Sequence, residues 1–191
     1  MLTQLRPALI LVAALHVVTG VVYPLVVTGV AQLVWHDKAN GSVLTIGGKD
    51  VGSGLIGQPF SAPEYFWSRP SATSPVPYDA SGSTGSNLGP TNPALLAGVR
   101  DRVAALRAAD PSLTGPIPVD LVTASGSGLD PDISVAAALI QVPRVARARG
   151  MAEDKLRGLV VRRAEGRALG FLGEPRVNVL ALNLALDSLR P

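Results

Sequence analysis

Residues 7–35 read PALILVAALHVVTGVVYPLVVTGVAQLVW and carry no formal charge when His16 is neutral. Roughly 20 apolar residues cross the hydrocarbon core of a bilayer, so this run is long enough to span one. A cleaved signal peptide has a shorter apolar region, about 7–15 residues, closed by a small-x-small site. Gly29-Val30-Ala31 is a poor version of that site, and the run is read as a retained transmembrane helix over 7–35. Arg6 lies directly before it, while Lys38 beyond it is offset by Asp37. Counting positive charge on the two sides then makes residues 1–6 a cytoplasmic tail and residues 36–191 an extracytoplasmic soluble domain. Trp35 suits the far interface.

Polar and small residues inside the run are ordered. His16, Thr19, Gly20, Tyr23, Pro24, Thr28, Ala31 and Gln32 recur at three- and four-residue steps, which places many of them on one helix face. In membranes such residues face other helices, whereas Leu, Val and Ile face lipid. The pattern predicts a helix packed against partner helices; the plain alternative is a lone anchor tolerant of Gly and Pro. His16 is read as a neutral packed side chain rather than an intramembrane ionisable site.

The remaining length, within a chain of 191 residues, is enough for one domain with a core. There is no cysteine, hence no disulfide, thiol nucleophile or cysteine-ligated zinc. Net charge is +3, acids are interspersed with bases, and only 4% of residues are aromatic. That leaves no stacking platform for nucleic acid. SVLTI (42–46) and GLIGQPF (54–60) are strand candidates, with GGKDVGSG turning between them. Residues 68–92 form a long Pro/Gly/Ser-rich loop, either a disordered connector or an ordered functional loop. Asn92 and Pro93 open a helix carrying Leu95, Val99, Val103 and Leu106, with Pro111 as its stop. VDLVTA (119–124) reads as a buried strand. A helix from about Asp132 runs toward Gln141, is bent or restarted by Pro143, and stops at Gly150. A further helix is expected over about 152–164; the ending alternates like a strand near Val177–Leu182, but Pro175 and its Leu/Ala content favour a helix over about 176–189. The fold class is therefore α+β: one N-terminal transmembrane helix, then one mixed domain with a small sheet.

The loop SGSGLDPDIS (125–134) invites three chemical readings. A hydrolase elbow needs Gly-x-Ser-x-Gly, but Ser125 and Leu129 stand where the glycines belong around Ser127. Only His16 and His36 exist to serve a triad. A calcium loop starting at Asp130 would need Gly at Val135 and Glu at Gln141. A phosphate cradle would have Asp130 and Asp132 at its mouth and lacks the P-loop lysine. What remains is a helix entry capped by Asp130 or Asp132. Arg144, Arg147, Arg149, Arg157, Arg162, Arg163 and Arg167 crowd one third of the domain. They make a solvated basic face or a contact surface for protein or anionic lipid.

Several blocks in order carry a family resemblance: the single span, GLIGQPF…YFWSRPSA, GSNLGPTN, VDLVTASGSGLDPDIS, QVPRVARARG and GEPRVNVLALNLALD. The chain resembles the C subunit of the Kdp potassium-transporting P-type ATPase over nearly its whole length. Asp132 and Val135 depart from the His and Pro usual there. The resemblance implies a non-catalytic accessory subunit of an ATP-driven, high-affinity potassium-uptake complex in the bacterial inner membrane. Its partners are then a potassium-channel-like subunit and a P-type ATPase subunit. It implies a role in assembly and as a catalytic chaperone that raises ATP affinity, with ATP as the cofactor of the complex and potassium as transported ion. By the same resemblance Gln141 is the candidate nucleotide contact. The polar and small stripe makes His16, Gly20, Tyr23 and Thr28 candidate partner-interface residues, and Asn87 and Asp130 in the loops join them. A domain outside the membrane does not meet cytoplasmic ATP, so contact over the channel subunit's outer entrance fits that topology better. The other classes are a membrane-anchored extracytoplasmic binding protein and an enzyme acting alone.

Overall fold

The computed structural model describes residues 2–189. They divide into two compact units, one ending at Val43 and the other beginning at Leu44. In the first, α1 (Leu2–Val17) continues through a π-helical turn (Val18–Val22) into α2 (Tyr23–Val34). Pro24 has no N–H, and its ring would clash with the carbonyl of Gly20 in an α-helical register. The wider turn, in which Tyr23 N–H reaches Val18 O, relieves that conflict and shifts the phase of the residues after it. Thr3–Val34 is the one helix among the described residues long and apolar enough to cross a membrane, at 32 residues. At 1.5 Å per residue it is about 48 Å long, more than a hydrocarbon core needs. None of its apolar window is buried, and such a surface is stable against lipid or other helices rather than water. The short α3 (His36–Ala39) follows, and Asn40 pairs amide to amide with Gln32 at 3.0 and 3.2 Å.

The second unit is α+β, as its sequence patterns predict. A hairpin joins β1 (Val43–Ile46) to β2 (Lys49–Ser53). Gly47 and Gly48 both take positive φ, +57° and +78°, as the tight hairpin turn requires. Strand two thus lies inside GGKDVGSG, expected to be all turn, and GLIGQPF forms no strand. The missed signal was the Gly-Gly pair itself. α4 (Pro93–Ala109) starts as expected, with the Asn92 side chain accepting from Ala94 N–H and Pro93 in the first turn.

β3 (Asp132–Ser134), β5 (Arg176–Asn178) and β4 (Ala164–Glu165) form an antiparallel sheet in the order β3-β5-β4. Val177 faces both Ile133 and Ala164. Behind it pack α5 (Val135–Arg149), α6 (Glu153–Arg163) and α7 (Val179–Asp187). Ala137 and Ala138 are wholly buried and let α5 approach its neighbours closely. Val142, Val145, Leu156, Val160, Val177, Leu182 and Leu186 fill the core, each wholly shielded from solvent; burying one such side chain contributes about 1.5–3 kcal/mol.

Three local expectations change. VDLVTA is a 3-10 turn (Val119–Leu121), not a strand, because Pro116 and Pro118 cannot donate to a ladder and Asp120 is drawn to Ser134. α5 does not restart at Pro143; it forfeits one hydrogen bond there and stays helical to Gly150, which caps it at φ +63°. At the C-terminal end, residues 176–178 pair as β5 before the helix begins at Val179, capped by Asn178.

Candidate functional site

SGSGLDPDIS is locked into the 68–92 loop. Gly128 has φ +71°, and a Cβ there would lie 2.5 Å from Thr84 O and 2.6 Å from Thr73 Cγ2. Only glycine fits. Ser71 Oγ donates to Gly128 O at 2.7 Å, Ser83 Oγ to Ser127 O at 3.0 Å, and Gly57 N–H to Leu129 O at 2.8 Å. Tyr78 O–H donates to Arg69 O, and burial, the largest influence, raises its phenol pKa. The 68–92 segment is therefore an ordered loop, tied down by side chains where the backbone has no regular pattern.

A network of charges follows this junction. Arg69 pairs with Asp130 at 2.7 Å, and Arg176 pairs with Asp132 at 2.9 Å. Asp130 Oδ1 accepts from Asp132 N–H at 3.0 Å, and Asn178 Nδ2 donates to Asp132 at 3.3 Å. Burial raises the Asp132 pKa despite Arg176. Arg69, Asp130, Asp132 and Arg176 line an open cleft of about 420 Å³.

The carboxylates do not cap α5, contrary to expectation. Ser134 does, accepting from Ala137 N–H at 3.0 Å while its own N–H donates to Asp120 at 2.6 Å. β3 intervenes, so Asp130 and Asp132 sit too far upstream. Ser127 Oγ accepts from Leu129 N–H at 3.1 Å, a turn contact. Both histidines belong to the other unit. Among the described residues no group of three or more His, Cys, Asp or Glu is placed to hold a metal ion.

A second constellation grips the strip Ala62–Trp67. Gln141 on α5 accepts from Trp67 N–H at 2.7 Å and donates to Trp67 O at 3.2 Å and Ala137 O at 3.1 Å. Asn183 on α7 accepts from Phe66 N–H at 2.9 Å and donates to Phe66 O at 3.0 Å. Two side-chain amides thus clasp two consecutive backbone units, as a neighbouring strand would. Arg144 donates to Pro63 O at 2.6 Å and Gln141 Oε1 at 2.7 Å, and lies 4.3 Å over the Trp67 ring. Burial lowers its pKa to about 10, against the pull of Asp110. Arg149 donates to Glu64 O at 2.7 Å and Asp187 at 2.8 Å, over the Tyr65 ring.

A family model described as K+-transporting ATPase, c chain, KdpC, matches residues 5–188. The potassium-transporting ATPase KdpC subunit of Sorangium cellulosum is 62% identical over 190 residues, covering 100% of each chain. The KdpC subunits of Methylibium petroleiphilum and Methylococcus capsulatus are 60% and 59% identical, again over 100% of each chain. The chain belongs to the KdpC family.

In this KdpC chain the candidate residues fall into three settings. Gln141 is 3% exposed, with its amide fully engaged inside the domain. A nucleotide reaching it would have to displace Trp67, Ala137 and Arg144. Asp130 belongs to the two-loop junction and is partly buried, whereas Asn87 lies in the 68–92 loop, exposed at φ +52°. His16, Gly20, Tyr23 and Thr28 are exposed on the long helix. His16 Nδ1 lies 2.8 Å from Val12 O, and Gly20 is inside the π-turn between His16 and Tyr23. The arginine cluster is not one solvated face. Arg144 and the Arg149 side chain are buried, and Arg147 pairs with Asp110. Sequence reasoning missed Arg69, Asn183 and the Phe66–Trp67 backbone. Asn183 did leave a signal: it is the one polar residue within the apolar run Val179–Leu186.

Proposed function

We propose that this KdpC-family chain is the non-catalytic C subunit of an ATP-driven potassium-uptake complex. The observation that carries this reading is the family match from residue 5 to 188, with full-length relatives named as potassium-transporting ATPase subunits. In it, residues 7–35 span the bacterial inner membrane with the N-terminus cytoplasmic, and residues 36–191 lie outside. The span docks on the channel-like subunit through the side bearing His16, Gly20, Tyr23 and Thr28. The loops bearing Asn87 and Asp130 add a contact from the domain.

The subunit supports assembly and raises the ATP affinity of the hydrolysing subunit. That effect belongs to the assembled complex, because an ATP contact at Gln141 would compete with the Trp67 backbone for one amide. Potassium is the transported ion and is not held by this chain.

Substitution of Gly20 by Leu tests the docking. A Cβ at Gly20 meets nothing within 4 Å in this chain, so the larger side chain is harmful only where another helix packs against it. Affinity purification of the full chain from native membranes should retain the large subunits for the natural sequence and lose much of them for Gly20→Leu. Absence of the large subunits from the natural chain's preparation would defeat the reading.

A further inference from the structure

The turn between β4 and β5 exposes apolar side chains that the fold does not use. Ala168 and Leu172 exchange backbone hydrogen bonds at 2.9 Å and close a turn over Leu169, Gly170 and Phe171. Leu169 is 83% exposed, Phe171 67% and Leu172 51%. Leu169 also sits at φ +53°, a left-handed conformation that bulky L residues rarely adopt and that Gly or Asn takes more readily. Folding alone therefore favours another residue there. Single exposed apolar residues are ordinary, but three on one turn tip mark a contact site.

The charge below the tip indicates what it contacts. Glu174 and Glu165 are taken by Arg167 and Arg176, at 2.7 and 2.9 Å. Arg162 and Arg163, at the end of α6 where β4 begins, are exposed and meet no acidic group among the described residues. Val161 beside them is 62% exposed. An apolar tip with unneutralised arginines at the base of the same hairpin complements a surface with acyl chains inside and anionic headgroups outside.

We infer that the 168–172 turn inserts its Leu169 and Phe171 side chains into an anionic bilayer surface, with Arg162 and Arg163 holding the lipid phosphates. The inference rests on the membrane-anchored reading above, which keeps the domain beside a bilayer.

The chain contains no cysteine, so Leu172→Cys gives a unique position for a nitroxide while sparing Leu169 and Phe171. The full chain is reconstituted in nanodiscs of phosphatidylcholine, with or without phosphatidylglycerol. Oxygen and a water-soluble nickel chelate report whether the label is in acyl chains or in water. A second label at Val26→Cys reads the span separately.

The expected result is a tip label in the acyl region with phosphatidylglycerol and in water without it. Arg162→Glu with Arg163→Glu should lower the inserted fraction on the order of tenfold or more. A tip label in water in every nanodisc, with the span label in lipid, overturns the inference and leaves the anchor standing. A span label in water overturns both. Shielding of the tip that needs co-reconstituted large subunits rather than anionic lipid also overturns it, in favour of a protein contact.

Discussion

The Ala62–Trp67 strip and the Ala168–Leu172 turn are both irregular backbone carrying large apolar side chains. In the strip, Phe66 is wholly buried and the backbone polar groups of Phe66 and Trp67 are met by the Asn183 and Gln141 amides. In the turn, the backbone pairs with itself and Leu169 and Phe171 face outward. A buried irregular segment needs partners for its N–H and C=O groups, and here polar side chains from two helices supply them. An exposed one needs none. The first arrangement contributes to stability; the second leaves apolar surface free for a contact.

The sharpest way to break this contrast is to truncate each phenylalanine in a full chain carrying Trp35→Phe and follow unfolding by the fluorescence of Trp67 in mild detergent. Phe66→Ala should cost about 3–5 kcal/mol. Phe171→Ala should stay within about 0.5 kcal/mol. Similar losses at both sites would mean that the tip belongs to the core. Next in size is Gln141→Ala, which strands the Trp67 N–H and C=O and one Arg144 contact. Because the Trp67 backbone is only partly buried and Arg144 keeps its bond to Pro63 O, the loss should be about 1–3 kcal/mol in all. Unchanged stability together with lost ATP binding would instead make that amide a ligand contact.

Asp110 tests how far the clasped side depends on charge. Burial acts to raise its pKa, but hydrogen bonds from Ser112 and Arg147 outweigh it and hold the carboxyl below its ordinary value. The folded state therefore binds this proton less readily than the unfolded chain does. The stability Asp110 contributes is present above the ordinary carboxylate pKa of about 3.9 and is lost as pH falls through the lower folded value. Asp110→Asn should thus flatten the decline in stability on acidification, read from urea midpoints across that range. An unchanged acid slope would remove Asp110 from the account. The smallest effect belongs to the turn. Leu169→Gly should raise stability by up to about 1 kcal/mol by relieving the left-handed leucine, measured by the same unfolding, and a loss of stability would show that Leu169 packs.

Sequence by itself determined what depends on near neighbours and on composition. A charge-free run of helix-forming length marked the membrane-competent helix, Asn92-Pro93 marked the start of α4, and Gly150 marked the end of α5. The ordered blocks from GLIGQPF to GEPRVNVLALNLALD were enough to point to the family. Local rules failed where the deciding partner is distant in the chain. Asp130 and Asp132 looked like caps because they precede a helix, yet the short β3 pairs with β5, more than forty residues on, and hands the cap to Ser134. Strands of two and three residues have too little periodicity to read. Gln141 and Asn183 meet their backbone partners across 74 and 117 residues. No spacing rule links such positions; only close packing of α5 and α7 against the strip brings them together and leaves amides as the groups able to satisfy its buried backbone.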